Sequence, residues 1–224
     1  MKNKKTIWVY MFLPVLLVYN IVAAQILVER EPHHKIIFEN GFVRLIDLRI
    51  MAADTTLTHI HAAASVVVFL FKSIFGIQAV GETPIVTQVN AGDMIYSAYD
   101  EKPVTHTVWN QGISMFRCMV VEMKKQHGGN ATCSILSEPG IKFQWQQKLV
   151  SAYNLDISKG SQYNLPKSNC GYILIDISGI VTVVSSGSMH SMEAGGFIFF
   201  PRQSNIKIGG NNNEIAAFTL LELK

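Results

Sequence analysis

Two histidines one residue apart, His59 and His61, stand in the run TLTHIHAAASVVVFL. Side chains i and i+2 of a β-strand project from the same face, so this spacing turns both imidazoles into one space and Ile60 away from it. Local structure alone then makes a two-point grip for a metal. A third imidazole, His106 in VTHTVWN, must arrive from another strand. Three neutral imidazoles suit one divalent transition metal, with iron favoured and manganese, nickel, cobalt, copper or zinc compatible, and they leave positions open for water or substrate. Such an ion acts as a Lewis acid or as an O2-binding centre. Thr58, Ser65, Tyr96 and Tyr99 flank the ligand strands and are candidate hydrogen-bond donors around them. Of the seven histidines, His33 and His34 in EPHHKII read as packing or capping residues, and His127 and His190 as solvated. No nucleophile beside a base, no phosphate loop and no Cys-x-x-Cys is present.

The elements that must position these residues are strands. Short runs rich in Val, Ile, Phe and Thr, broken by Gly, Asn, Asp and Pro, recur along the chain: KIIFEN, FVRLIDLRI, SVVVFLF, TPIVTQV, DMIYSAY, THTVWN and MFRCMVVEM. After the polar stretch KKQHGGNATCSILSEPG the pattern resumes with KLVSAYNLDI, GYILIDI, IVTVVSS, GGFIFFP, IKIGG and EIAAFTLLEL. Strands at this spacing point to an all-β sandwich or barrel. The two halves also match each other: LIDLRIMAAD with SAYNLDISKGS, AGDMIY with AGGFIF, FRCMVVEM with AFTLLELK. Two tandem β units follow, and closing each as a jelly roll removes its exposed sheet edges.

On these residues the sequence resembles the cupin superfamily. The family's first motif runs from a glycine through H-x-H to a glutamate and a closing glycine; here HIH stands at 59–61 and Gly76 closes the block. Ala53 and Asp54 occupy the turn of the leading glycine. The second motif opens on Gly92 and ends H-x-x-x-N at His106 and Asn110. Two departures stand out. The family glutamate falls at Ser65 or Val66, and the loop before His106 is longer than the family norm, around residues 99–103. The resemblance implies two tandem cupin-type jelly-roll barrels with a metal site in the first. Three-histidine sites occur in the superfamily, notably in thiol dioxygenases. In the second half the H-x-H region falls near Leu165 to Ser168 and the later histidine near Ile206, so no imidazole is supplied there. The functional expectation is a metal-binding protein acting on or binding a small organic molecule, in the form of a three-histidine Fe(II) dioxygenase-like enzyme. The alternative is a non-catalytic metal or small-molecule binding protein of the cell envelope.

The chain begins MKNKKTIWVYMFLPVLLVYNIVAAQ, a lysine-rich start, an apolar stretch and small residues before Gln25. This is the layout of a secretory signal cut after Ala24, with an uncleaved anchor as the alternative. No cysteine at the cut marks a lipoprotein. The formal net charge of +3 includes Lys2, Lys4 and Lys5 of this leader, and without them no basic surface remains to suggest nucleic acid. The mature chain is expected to be secreted or periplasmic, without stable membrane insertion, with a small molecule as ligand and a homodimer compatible. Of three cysteines, Cys118 reads as a buried small hydrophobe, while Cys133 and Cys170, in turn-rich segments, could bridge. Asn130-Ala131-Thr132 fits a glycosylation acceptor, meaningful only in a eukaryotic secretory pathway. The reading divides the chain into a leader at 1–24, a first barrel at 25–123, a linker at 124–140 and a second barrel at 141–224. Mass spectrometry of the protein from the exported fraction of its native host is expected to show a chain starting at or near Gln25; a retained Met1 would refute the leader.

Overall fold

The segment VRLIDLRI at 43–50 carries apolar residues on both of its faces, and a strand of that kind must be covered twice. The computed structural model of the chain, which describes residues 26–124, 133–210 and 215–224, shows how this is done. The first half contains β1 (Ile26–Leu27), β2 (His34–Glu39), β3 (Val43–Ile50), β4 (His59–His61), β5 (Ala64–Phe69), β6 (Ser73–Ala79), β7 (Ile85–Val89), β8 (Met94–Ser97), β9 (Val104–Asn110) and β10 (Phe116–Met123). The second contains β11 (Ile141–Gln146), β12 (Val150–Ile157), β13 (Gln162–Leu165), β14 (Gly171–Ser178), β15 (Val181–Ser185), β16 (Ser188–Met192), β17 (Phe197–Phe200), β18 (Ile206–Gly210) and β19 (Ala216–Leu223). Among the described residues the only helical element is the 3-10 turn Val28–Arg30.

The strands form four sheets, each drawn from one half of the chain: β1-β4-β9-β6-β7, β2-β3-β10-β5-β8, β11-β12-β19-β14-β17 and β13-β18-β15-β16. The layers stack in that order. Ile46, Leu48, Phe69, Phe116 and Val120 of the second sheet pack on Phe75, Val89 and Val108 of the first, forming the interior of one barrel. Tyr153, Leu155, Leu174 and Phe218 of the third sheet pack on Val181, Val183, Ile206 and Ile208 of the fourth, forming the other. The alternate residues of the two inner sheets form a third core between the barrels, where Leu45, Val66, Val68, Met119 and Val121 meet Ala152, Ile173, Ile175 and Leu221. All nine are fully buried.

Two local features differ from the sequence reading or explain it. TLTHIHAAASVVVFL is not one strand: it breaks at Ala62-Ala63, and the chain crosses from β4 in the first sheet to β5 in the second. Ala53, at the position of the family's leading glycine, adopts φ 61°, the left-handed conformation that glycine adopts without strain. Gly76, which closes the block, lies opposite Trp109 in the β6–β9 pair, and a Cβ there would sit 2.0 Å from the indole. Cys133 and Cys170 are joined by a disulfide, and Cys118 is buried.

The repeat is visible in the registers. Val43 faces Met123 as Val150 faces Leu223, and Ser65 faces Glu122 as Tyr172 faces Glu222. By the same match, the pair His59 opposite His106 becomes Leu165 opposite Ile206, both buried in the second barrel's core. Where the first barrel holds imidazoles, the second holds hydrocarbon.

Fully burying a large aliphatic side chain is worth about 1.5–3 kcal/mol. Residues 26–124 expressed alone would expose the Val66, Val68 and Val121 face, so that fragment is expected to aggregate while the full chain stays soluble. Size-exclusion chromatography of the two decides it, and a soluble monomeric fragment would show the seam to be dispensable.

Candidate metal centre

Strand β4 is three residues long, held between β1 and β9 in the first sheet. His59 and His61 project from its inner face, 0% and 4% exposed, and Ile60 lies on the other. The antiparallel β4–β9 register sets His106 directly opposite His59. His59 Nε2 is 3.1 Å from His61 Nε2 and 3.2 Å from His106 Nε2. Donors about 2.1 Å from a common ion and at right angles to one another would be about 3 Å apart, so these separations fit a shared metal.

The far nitrogens fix the rings. His59 Nδ1 lies 2.8 Å from the Leu57 carbonyl oxygen, which can only accept, so the ring proton sits there and Nε2 keeps its lone pair. Burial drives the His59 imidazole down to about 4, against the opposing Leu57 bond, and drives His106 down to about 3. Both are therefore neutral at pH 7, as metal ligation requires. Glu122 of β10 sets a carboxylate oxygen 3.6 Å from His61 Nδ1, and its other oxygen accepts from Arg44 Nη1 at 3.3 Å. His106 Nδ1 is buried with no partner among the described residues.

The cluster contains one imidazole more than sequence reasoning brought together. His34, read as a packing or capping residue, is 5% exposed at the start of β2, and a ring nitrogen of it lies within 4.8 Å of those of His59 and His61. Its Nδ1 donates to Glu31 Oε2 at 2.6 Å, which leaves Nε2 as the free donor atom. Glu31 is itself buried and accepts from the His33 N–H, His33 Nδ1 and the Leu57 N–H. Burial alone would raise its carboxyl, but the hydrogen bonds from His34, His33 and Leu57 outweigh this and hold it at about 2. The peptide units flanking Leu57 thus tie both halves of the cluster, N–H to Glu31 and carbonyl to His59. His33 spans Glu31 and Asp54, its Nε2 3.0 Å from Asp54 Oδ2.

The other expected residues divide. Ser65 and Tyr99 line a cavity beside the cluster, Tyr99 with its ring centroid 5.5 Å from that of His61. Thr58 is exposed and bonds Thr107, and Tyr96 packs against Trp145 toward the second barrel. His190 is exposed on β16. His127, Asn130 and the leader lie outside the described residues. Among the described residues no carboxylate enters the nitrogen cluster: Glu31 and Glu122 each stand behind a ring.

No family model matches the sequence, and no curated protein matches it. Solved structures do. The chain is similar to a cupin 2 conserved barrel domain protein from Leptotrichia buccalis (TM-score 0.57, 10% identity, 85% of this chain and 88% of that one). It is also similar to salicylate 1,2-dioxygenase from Pseudaminobacter salicylatoxidans (0.60, 8%, 87% and 77%). A third is the formate complex of oxalate decarboxylase from Lactobacillus farciminis (0.58, 10%, 83% and 78%). At such identities the likeness is one of architecture: the chain has the cupin fold, as two tandem jelly-roll barrels.

Removing a ligand should weaken metal binding far more than removing an exposed histidine. His59→Ala and His106→Ala are expected to lower Co(II) affinity by about a hundredfold or more, Glu31→Gln by about tenfold, and His190→Ala not at all. Titration followed by the Co(II) absorption spectrum measures both affinity and ligand number; equal affinity across the set would refute the site.

Proposed function

We propose that this chain is an exported metal-binding cupin protein that acts on, or binds, a small organic molecule, with one divalent transition metal held by His59, His61 and His106. The observation that carries it is the convergence of three Nε2 atoms at 3.1 and 3.2 Å in a buried setting. Iron is the preferred metal, because neutral imidazoles with open positions suit Fe(II), which when bound supplies an O2-binding centre for dioxygenase-like chemistry. The residues of the chain do the positioning. Leu57, Glu31 and Glu122 orient the rings from behind, and Tyr99 flanks His61 at the cavity. The apolar walls of the first barrel limit water around the reacting groups.

The dioxygenase and decarboxylase among the similar structures support a small-molecule ligand, since salicylate, oxalate and formate are all small. Export is supported by the leader sequence and by the Cys133–Cys170 disulfide, a bond that persists in oxidising compartments. The Leu165 and Ile206 pair supports a single metal per chain.

Anaerobic loading with Fe(II), followed by elemental analysis and an oxygen electrode, tests the reading. The expected result is about one iron per chain and, with a panel of small organic substrates supplied to accept the oxygen, O2 uptake that is lost with His59→Ala. Tightly held zinc with no O2 uptake under any loading would assign the chain instead as a non-catalytic binding protein of the cell envelope. Two metals per chain would overturn the assignment of the second barrel.

A further inference from the structure

Resting on that reading, we propose that the site takes a small uncharged molecule, apolar except for one hydrogen-bonding group that meets Ser65. Between the first two sheets lies a cavity of about 100 Å³, with His34, His61 and His106 at one end. Its walls include Leu48, Val67, Phe69, Phe75, Phe116 and Val120. Among the described residues no Lys, Arg, Asp or Glu lines it. An engineered apolar cavity of about 150 Å³ holds benzene, so this one suits a molecule no larger than benzene.

Ser65 gives the ligand its polar requirement. It is 0% exposed, its hydroxyl has no hydrogen-bond partner among the described residues, and it lines the cavity beside the histidines. With Val66, which packs in the core between the barrels, it is one of the two positions where the sequence motif would have placed a glutamate, and the shorter side chain leaves space as well as an unused hydroxyl. Ser97, opposite Ser65 on β8, and Tyr99 extend the same polar strip.

Charge is excluded on two grounds. A carboxylate entering these walls would lose its hydration and meet no cationic side chain among the described residues, an unfavourable exchange. The charge of a divalent ion at the histidines would be offset in part by Glu31 and Glu122, each set against the far nitrogen of a ring, which weakens its pull on an anion. Arg44, which pairs with Glu122, is already shared among Glu122, Glu39 and Glu29.

The test compares butan-2-one with propanoate, which have equal numbers of non-hydrogen atoms and differ in charge. Each is titrated into the zinc-loaded full chain, with methyl-labelled NMR reading Leu48, Val67 and Val120 and elemental analysis reading zinc. Butan-2-one is expected to give saturable shifts at these methyls, with propanoate about tenfold weaker or worse. Ser65→Ala should weaken butan-2-one about fivefold, one hydrogen bond's worth, and Val67→Phe should abolish its binding, both with zinc retained. Propanoate binding as tightly as butan-2-one, or no shift at these methyls with either, would overturn the proposal. Should the chain retain no zinc, the metal reading fails, and the butan-2-one titration of the metal-free chain still decides this one.

Discussion

Burying four imidazoles at one end of an apolar barrel imposes a requirement that much of the surrounding structure meets. Each ring carries two nitrogens, and a buried polar atom left unpaired is destabilising by about 1–3 kcal/mol. Outward-facing nitrogens are accounted for one by one: His34 by Glu31, His59 by Leu57, His61 by Glu122 at ion-pair distance, and His106 by none of the described residues. The inner nitrogens of His59, His61 and His106 have chiefly one another, an arrangement of lone pairs that a cation resolves and a proton does poorly, given how far burial depresses His59 and His106.

How much of this could be read from the sequence depended on whether the deciding contact was local. His59 and His61 were legible because strand parity alone sets them on one face, and His106 because the motif ending at Asn110 marks the partner strand. Asn110 does its own work there, donating to the Ile50 and Ser114 carbonyl oxygens and accepting from the Gly112 N–H, which fixes the end of β9. His34 was not legible in the same way. It reaches the cluster from the second sheet while His59 comes from the first, and no periodicity links positions that meet only when two sheets face each other. The break at Ala62-Ala63 was hidden too, since an apolar run reads alike whether it stays in one sheet or crosses to the next. The longer loop before His106 proves to be a turn, with the Glu101 and Lys102 N–H groups donating to the Ala98 carbonyl, and it carries Tyr99 to the cavity.

The two barrels show what one architecture does with and without polar contents. Glu122 and Glu222 occupy matching places on the closing strands, both buried. In the first barrel the carboxylate faces His61; in the second it accepts from the hydroxyls of Tyr153 and Ser168, and burial raises it above its ordinary range. The likeness to enzymes of known chemistry is one of the barrels, and an architecture does not by itself fix a chemistry.

The shared core between the inner sheets also has a thermodynamic consequence. When two barrels cannot part without exposing Val66, Val121, Ile173 and Leu221, they unfold as one cooperative unit, so whatever favours the folded state of one favours both. An ion taken up by the histidines raises the free energy of unfolding by mass action, and that increment extends through the seam to a barrel with hydrocarbon at the matching positions. The second barrel would then melt at a temperature set in part by a ligand it never touches.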